Sequence, residues 1–238
     1  MCIAIHAPLI FPTEITLQLF ESRNADGIGI AYRDNGIVNW SKGIDLTDLL
    51  GIGANTNGPW LIHMRLATVG SPSKALAHPF PLSGSLEING SGEDVLIHNG
   101  HWKDWQQNLL LKGNKIPCGE YSDTRAIAVM TGWYGSGFLD VYGDDLGSVA
   151  LMTSDTISRY GRWYWDKRDS IHISNTHGLY ESITVKSARK GEKDQKIYED
   201  IRDWSDKRIA NYLAREKKTI GYPAWWQEEN PNWEYGIR

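Results

Sequence analysis

The sequence predicts an α+β protein with mostly antiparallel sheets covered by helices. Three observations carry that expectation. Apolar runs of strand length recur along the chain, short turns rather than helical crossovers join them, and helical patterns enter singly or in pairs. Hairpins therefore dominate over βαβ units.

The elements follow in order. CIAIHA opens the chain in strand style and Pro8 and Pro12 end it. ITLQLFESR, introduced by Pro12-Thr13-Glu14, carries Ile15, Leu17 and Phe20 at spacings that fit a short helix. GIAY and IVNW, separated by Asp34-Asn35-Gly36, predict a β-hairpin, because Asn-Gly tolerates the positive φ values of a tight turn. The Gly/Asn-rich stretch 51–58 predicts a loop before the strand WLIHMRLA. Residues 70–92, rich in Ser, Gly and Pro, predict a long loop with a small hairpin at Asn89-Gly90. DVLIH is a buried strand, and HWKDWQQNLLLKG a helix stopped by Gly113. DTRAIAVM predicts a second helix with Ser122 as its N-cap. SVALMT, RYGRWYW and SIHISN predict three strands in succession. Over 196–217 the apolar residues Ile197, Ile201, Trp204, Ile209 and Leu213 recur at helical spacings, which predicts an amphipathic helix.

Composition narrows the function classes. A net charge of −4, with basic residues of 187–218 interleaved with acids, gives no nucleic-acid footprint. No apolar run approaches the roughly 20 residues of a membrane span. MCIAIHAPLIF has neither a positive n-region nor a small-residue cleavage site. Two cysteines cannot build a disulfide framework, so the expected address is the cytoplasm. His6, His101, His172 and His177 show no metal-ligand spacing, and neither a metal nor a cofactor is expected. Cys118 reads as a loop thiol, and Gly51-Ile52-Gly53 lacks the rest of any phosphate-binding fingerprint.

Four features carry chemistry, each with a plainer alternative. Cys2 becomes the N-terminal residue when Met1 is removed. It then pairs a thiol with an α-amine, a group that ordinarily titrates at about 7.7–8.0, so the nucleophile carries its own base; otherwise it is a small residue in a strand. Arg65, at the end of a strand, offers a rigid fork to a substrate carboxylate or closes an internal salt bridge. Asn99 and Gly100 offer a side-chain NH₂ and a backbone N–H that could hold an oxyanion, or simply form an Asn-Gly turn. Ser122-Asp123-Thr124 supplies either a substrate-binding acid or an N-cap with a first-turn acid.

In this order and at these separations, Cys2, the H-x-R-x-A-T-x-G of 63–70, the H-N-G of 98–100 and the S-D-T of 122–124 resemble the glutaminase domain of class II glutamine amidotransferases. These are N-terminal nucleophile hydrolases. The segment 24–31 (NADGIGIA) is similar to the family's early D-G-x-G strand, Ala77-His78-Pro79-Phe80 to its H-P segment, and Ile173-Ser174-Asn175 to a late strand that closes the domain. The family usually has an acid after S-D-T; this chain has Arg125.

The resemblance implies a four-layer αββα sandwich with Cys2 at the end of a central strand. It implies Cys2 as nucleophile, Asn99 and Gly100 as oxyanion donors, Arg65 for the α-carboxylate of glutamine and Asp123 for its α-ammonium. Thr68 and His78 would line the pocket, with Arg23 and Asp26 as further candidates. It makes residues 2–185 a glutaminase domain and 186–238 a C-terminal helix and aromatic tail, packed on that domain or docking a partner. The remainder after Asn175 is too short for a synthase domain, so the expectation is a stand-alone glutaminase that delivers ammonia to a separate acceptor enzyme. Two alternatives stay open: an amidase for a γ-glutamyl conjugate or another small amide, and a non-catalytic module if Met1 is retained.

Overall fold

The computed structural model describes residues 2–66, 73–111, 116–176, 180–185, 195–200 and 204–216. Two antiparallel sheets form its centre. The larger comprises β1 (Ile3–Ala7), β2 (Ile28–Asp34), β3 (Ile37–Ile44), β4 (Trp60–Met64), β6 (Asn89–Ser91), β10 (Tyr164–Asp166) and β11 (Ile171–Ile173). Its seven strands lie in the order β10-β11-β1-β4-β2-β3-β6. The smaller comprises β5 (Phe80–Pro81), β7 (Val95–Asn99), β8 (Ser148–Met152) and β9 (Ile157–Tyr160), in the order β5-β7-β8-β9. A separate hairpin pairs β12 (Tyr180–Val185) with β13 (Gln195–Asp200).

Three layers of apolar side chains show how these elements stack. Ala4, Ala31, Val38, Trp40 and Leu61 of the larger sheet meet Val95, Ile97, Ala150 and Met152 of the smaller. On the outer side of the larger sheet, Ile3, Ile5, Ile30, Ile62 and Ile173 pack against helices α1 (Glu14–Glu21), α2 (Leu46–Asn55) and α6 (Asp206–Glu216). On the outer side of the smaller sheet, Leu96, Val149 and Leu151 pack against α3 (Trp105–Leu111), α4 (Asp123–Tyr134) and α5 (Gly137–Leu146). Each central strand is thus buried on both faces, and the architecture is the expected αββα sandwich.

The hairpin predicted at Asn35-Gly36 is present, with φ of 49° and 77° at the two turn residues. Several segments differ from expectation. Asn89-Gly90, expected as the turn of a small hairpin, lies within β6, which pairs with β3. Residues 46–55 form α2, which takes in the first part of the loop expected over 51–58: the Asp45 carboxylate accepts the Asp48 N–H at 2.8 Å, and a Cβ at Gly53 would lie 2.3 Å from the Phe11 ring. Residues 137–146, which the sequence pattern leaves unassigned, form α5 and bury Phe138, Leu139 and Leu146. RYGRWYW splits at Gly161 (φ +74°) into β9 and β10, which belong to different sheets. Finally, 195–200 is a strand paired with β12, and the helix begins only at Asp206. The aromatic tail from Gly221 lies outside the described residues.

Candidate active site

A small cleft opens at an end of the sandwich. Its lining includes Cys2, Arg65, His78, Gly100, His101 and Asp123.

Cys2 immediately precedes β1, which lies between β11 and β4. Its thiol donates to the Leu66 carbonyl and its sulfur accepts the Leu66 N–H, both at 3.4 Å. Its own carbonyl accepts the Asn175 side-chain NH₂ at 2.7 Å. Burial raises the thiol pKa, while the Leu66 amide and the nearby Arg65 charge pull it down. The sulfur is therefore held in place and stays protonated until a base reaches it.

Arg65 follows β4 directly and is 4% exposed. Its N–H donates to the Gly27 carbonyl at 2.8 Å and its carbonyl accepts the Asp26 N–H at 2.9 Å, which ties it to the start of β2. Burial lowers its pKa; Cys2, Asp26, Glu120 and Asp123 favour its charge.

Asp123 occupies the first turn of α4, which Ser122 caps by accepting the Arg125 N–H at 3.2 Å. Its Oδ1 accepts the Thr124 N–H at 2.8 Å and its Oδ2 the Trp102 N–H at 3.1 Å. Arg125 fixes the approach to this turn: its guanidinium donates to the carbonyls of Gly84, Glu120 and Cys118, each at 2.7 Å, and stacks 4.2 Å from the Tyr121 ring. The departure from the family pattern at this position is a buried staple.

His98 links β7 to both neighbouring helices. Its Nε2 lies 2.8 Å from the Leu146 carbonyl, which can only accept, so Nε2 carries the proton and Nδ1 accepts the Thr124 hydroxyl at 2.9 Å. Burial lowers its pKa. Gly100 is required where it stands, since a Cβ would come within 2.0 Å of the Leu146 oxygen. His78, in the cleft lining, and His63 have ring centroids 3.9 Å apart with their planes tilted by 37°, and burial pushes His63 down to about 3. His78 reaches this position because β2 carries Gly29, where a Cβ would meet the His78 carbonyl at 1.8 Å.

The other sequence-derived candidates fall differently. Asn99 ends β7, is absent from the cleft lining, and donates from its side chain to Ser174 Oγ at 2.9 Å. Arg23 lies against α6, donating to the Tyr212 hydroxyl and standing 5.6 Å from that ring's centroid. Thr68 lies outside the described residues. Sequence reasoning missed Ser174 as a junction: its hydroxyl accepts from both Ala4 N–H and Asn99, so it locks β1 to the end of β7. Only the Ile-Ser-Asn run at 173–175 hinted at it. Among the described residues, no group of three or more His, Cys, Asp or Glu could hold a metal ion, and no helix is long and apolar enough to cross a membrane.

The chain thus has the αββα fold of N-terminal nucleophile glutamine amidotransferases. Neighbours among solved structures include the allosteric regulatory enzyme of purine biosynthesis (TM-score 0.52, 19% identity) and glutamine phosphoribosylpyrophosphate amidotransferase from B. subtilis complexed with ADP and GMP (TM-score 0.48, 17% identity). Each similarity covers 75% of this chain and 42% of the neighbour, so this chain matches less than half of either structure's length. No family model and no curated protein matches the sequence.

Proposed function

We propose that this protein hydrolyses the side-chain amide of glutamine, with Cys2 as nucleophile. The observation that carries the proposal is the convergence of a thiol, a buried guanidinium and a buried carboxylate on one small cleft. A zwitterionic amino acid needs one fixed cation and one fixed anion, which Arg65 and Asp123 supply. Arg65 takes the α-carboxylate through a forked pair of hydrogen bonds. Asp123 takes the α-ammonium.

Removal of Met1 frees the α-amine of Cys2. The buried thiol is not ionised in advance, so that amine accepts its proton as sulfur attacks the amide carbon. The carbonyl oxygen gains charge and is held by Gly100 N–H and the Asn99 side chain. Asn99 donates one N–H to Ser174, and an amide NH₂ has a second to give. Collapse of the tetrahedral intermediate breaks the C–N bond, and the proton held by the α-amine leaves with ammonia. Water then cleaves the γ-glutamyl thioester to glutamate, with the same amine as base. His78 forms part of the pocket wall, and Thr68 joins the proposal on its motif alone. Ammonia passes to an acceptor enzyme whose chemistry lies outside these residues.

The test is glutamate release from glutamine by wild-type and Cys2→Ala protein, alongside an intact mass of protein from its own host. The expected results are loss of release in Cys2→Ala and a mass lacking Met1. A Cys2→Ala protein with the wild-type rate overturns the proposal, and so does quantitative retention of Met1.

A further inference from the structure

We infer that His101 determines specificity in this cleft by serving as a second acceptor for the substrate's ammonium group. The inference rests on the amino-acid site proposed above and adds a residue that lies beyond the H-N-G motif. His101 Nδ1 stands 3.7 Å from Asp123 Oδ2, at the mouth of the cleft; its side chain is 50% exposed and that of Asp123 11%. The Asp123 carboxylate is already engaged from within by the N–H groups of Trp102 and Thr124. His101 stands beside Oδ2 of that carboxylate, and both residues line the cleft.

The separation suits a shared donor. Two acceptors 3.7 Å apart can each lie at an ordinary hydrogen-bond distance of about 2.9 Å from one nitrogen between them. An ammonium has the N–H groups to bridge both, and a neutral imidazole accepts at its unprotonated nitrogen. A positive group at position 101 reverses the effect: it takes Asp123 as its own counter-ion and repels the incoming ammonium. The residue at 101 therefore sets how strongly the cleft distinguishes an α-amino amide from the same amide without the amino group. Arg65, which would grip the carboxylate shared by both ligands, has no part in that distinction.

The experiment measures binding of glutamine and of glutaramate, its des-amino analogue, by calorimetry to full-length Cys2→Ala protein with His, Gln or Lys at position 101. His101→Lys is expected to weaken glutamine roughly tenfold and glutaramate less than about twofold. His101→Gln, which keeps a neutral acceptor, is expected to leave the ratio of the two affinities within about twofold of that with His101. A ratio unchanged by His101→Lys overturns the inference, and so does binding of neither ligand. Failure of wild-type protein to hydrolyse glutamine is a separate outcome: it removes the proposed reaction, while a ratio that follows the charge at position 101 still assigns the ammonium site.

Discussion

Replacing Lys42 with methionine should stabilise the protein at neutral pH, and the gain should vanish in alkali. Lys42 lies on β3 and is 1% exposed; among the described residues its Nζ has no hydrogen-bond partner, and it stands 4.1 Å from the Phe80 ring centroid. Burial pushes its amine from 10.5 down to about 7, with Arg125 adding to the shift and Glu87 opposing it. At about 1.4 kcal/mol per pKa unit, charging this amine inside the fold costs on the order of 4–5 kcal/mol relative to water. The cation–π contact with Phe80 returns about 2 kcal/mol, and methionine fills similar space without a charge. The net gain expected for Lys42→Met at pH 7 is about 2 kcal/mol.

The sign of the pH dependence follows from linkage. Between about 7 and 10.5 the unfolded chain holds this proton more tightly than the folded one, so wild-type stability rises with pH across that window. Below it both states are charged and the full penalty applies. Paired urea unfolding of wild type and Lys42→Met near pH 7 and again near pH 10 isolates the effect, because the other titrating groups cancel in the difference. A variant less stable than wild type at pH 7, or a difference that does not shrink toward pH 10, refutes the reasoning. The buried charge has a local consequence as well: Lys42 is one of the positive groups, with Arg65, that help keep His78 uncharged at the cleft wall.

Two further substitutions test the site. Arg65→Lys should raise the KM for glutamine by about 10- to 100-fold, because an ammonium cannot reproduce a bidentate fork; steady-state kinetics with an unchanged KM would make Arg65 structural. Arg125→Met should destabilise the fold by about 3 kcal/mol or more, since the carbonyls of Gly84, Glu120 and Cys118 lose their donors. Urea unfolding checks it, and a loss below about 1 kcal/mol would mean that water or neighbouring groups replace those donors.

The parts of the fold legible in the sequence are those set by local chemistry. Asn35-Gly36 specifies its turn through positive φ, and Ser122 specifies a helix start through one side-chain hydrogen bond. The parts that escaped depend on residues far away. Gly51, Gly53 and Asn55 look like loop residues, yet they lie in α2, where Gly53 makes room for the ring of Phe11. Gly161 divides an apolar run because a Cβ there would lie 1.6 Å from the Gly147 carbonyl, a contact between chain segments that no local pattern encodes. In 195–216 a helical spacing of apolar residues coexists with strand pairing to β12, and the partner strand decided the first six residues. At the site, Cys2, Arg65, Gly100 and Asp123 were legible as motifs, whereas Lys42, Ser174 and His101 matter through neighbours that only the fold supplies.

Topology explains why residues so distant in sequence share one cleft. β1 runs antiparallel to β4 and β11, and β2 runs antiparallel to β4. The starts of β1 and β2 therefore lie at the same end of the sheet as the ends of β4 and β11. Cys2 precedes β1, Asp26 precedes β2, Arg65 follows β4, and Ser174 with Asn175 follows β11. The Ser174 hydroxyl reaches Asn99 at the end of β7, which brings the second sheet's loop to that same end. The next turn of chain supplies Trp102, whose N–H holds Asp123 at the start of α4. The strand that follows Cys2 is central: it is flanked on both sides, and Asn175 and Leu66 fix the backbone and sulfur of Cys2. Moving Cys2 one residue along β1 would turn its side chain to the opposite face of the sheet, among the outer-core residues Ile3 and Ile5, away from Arg65. The register of β1 against β4, rather than the presence of a cysteine, is what places the thiol in the cleft with Arg65.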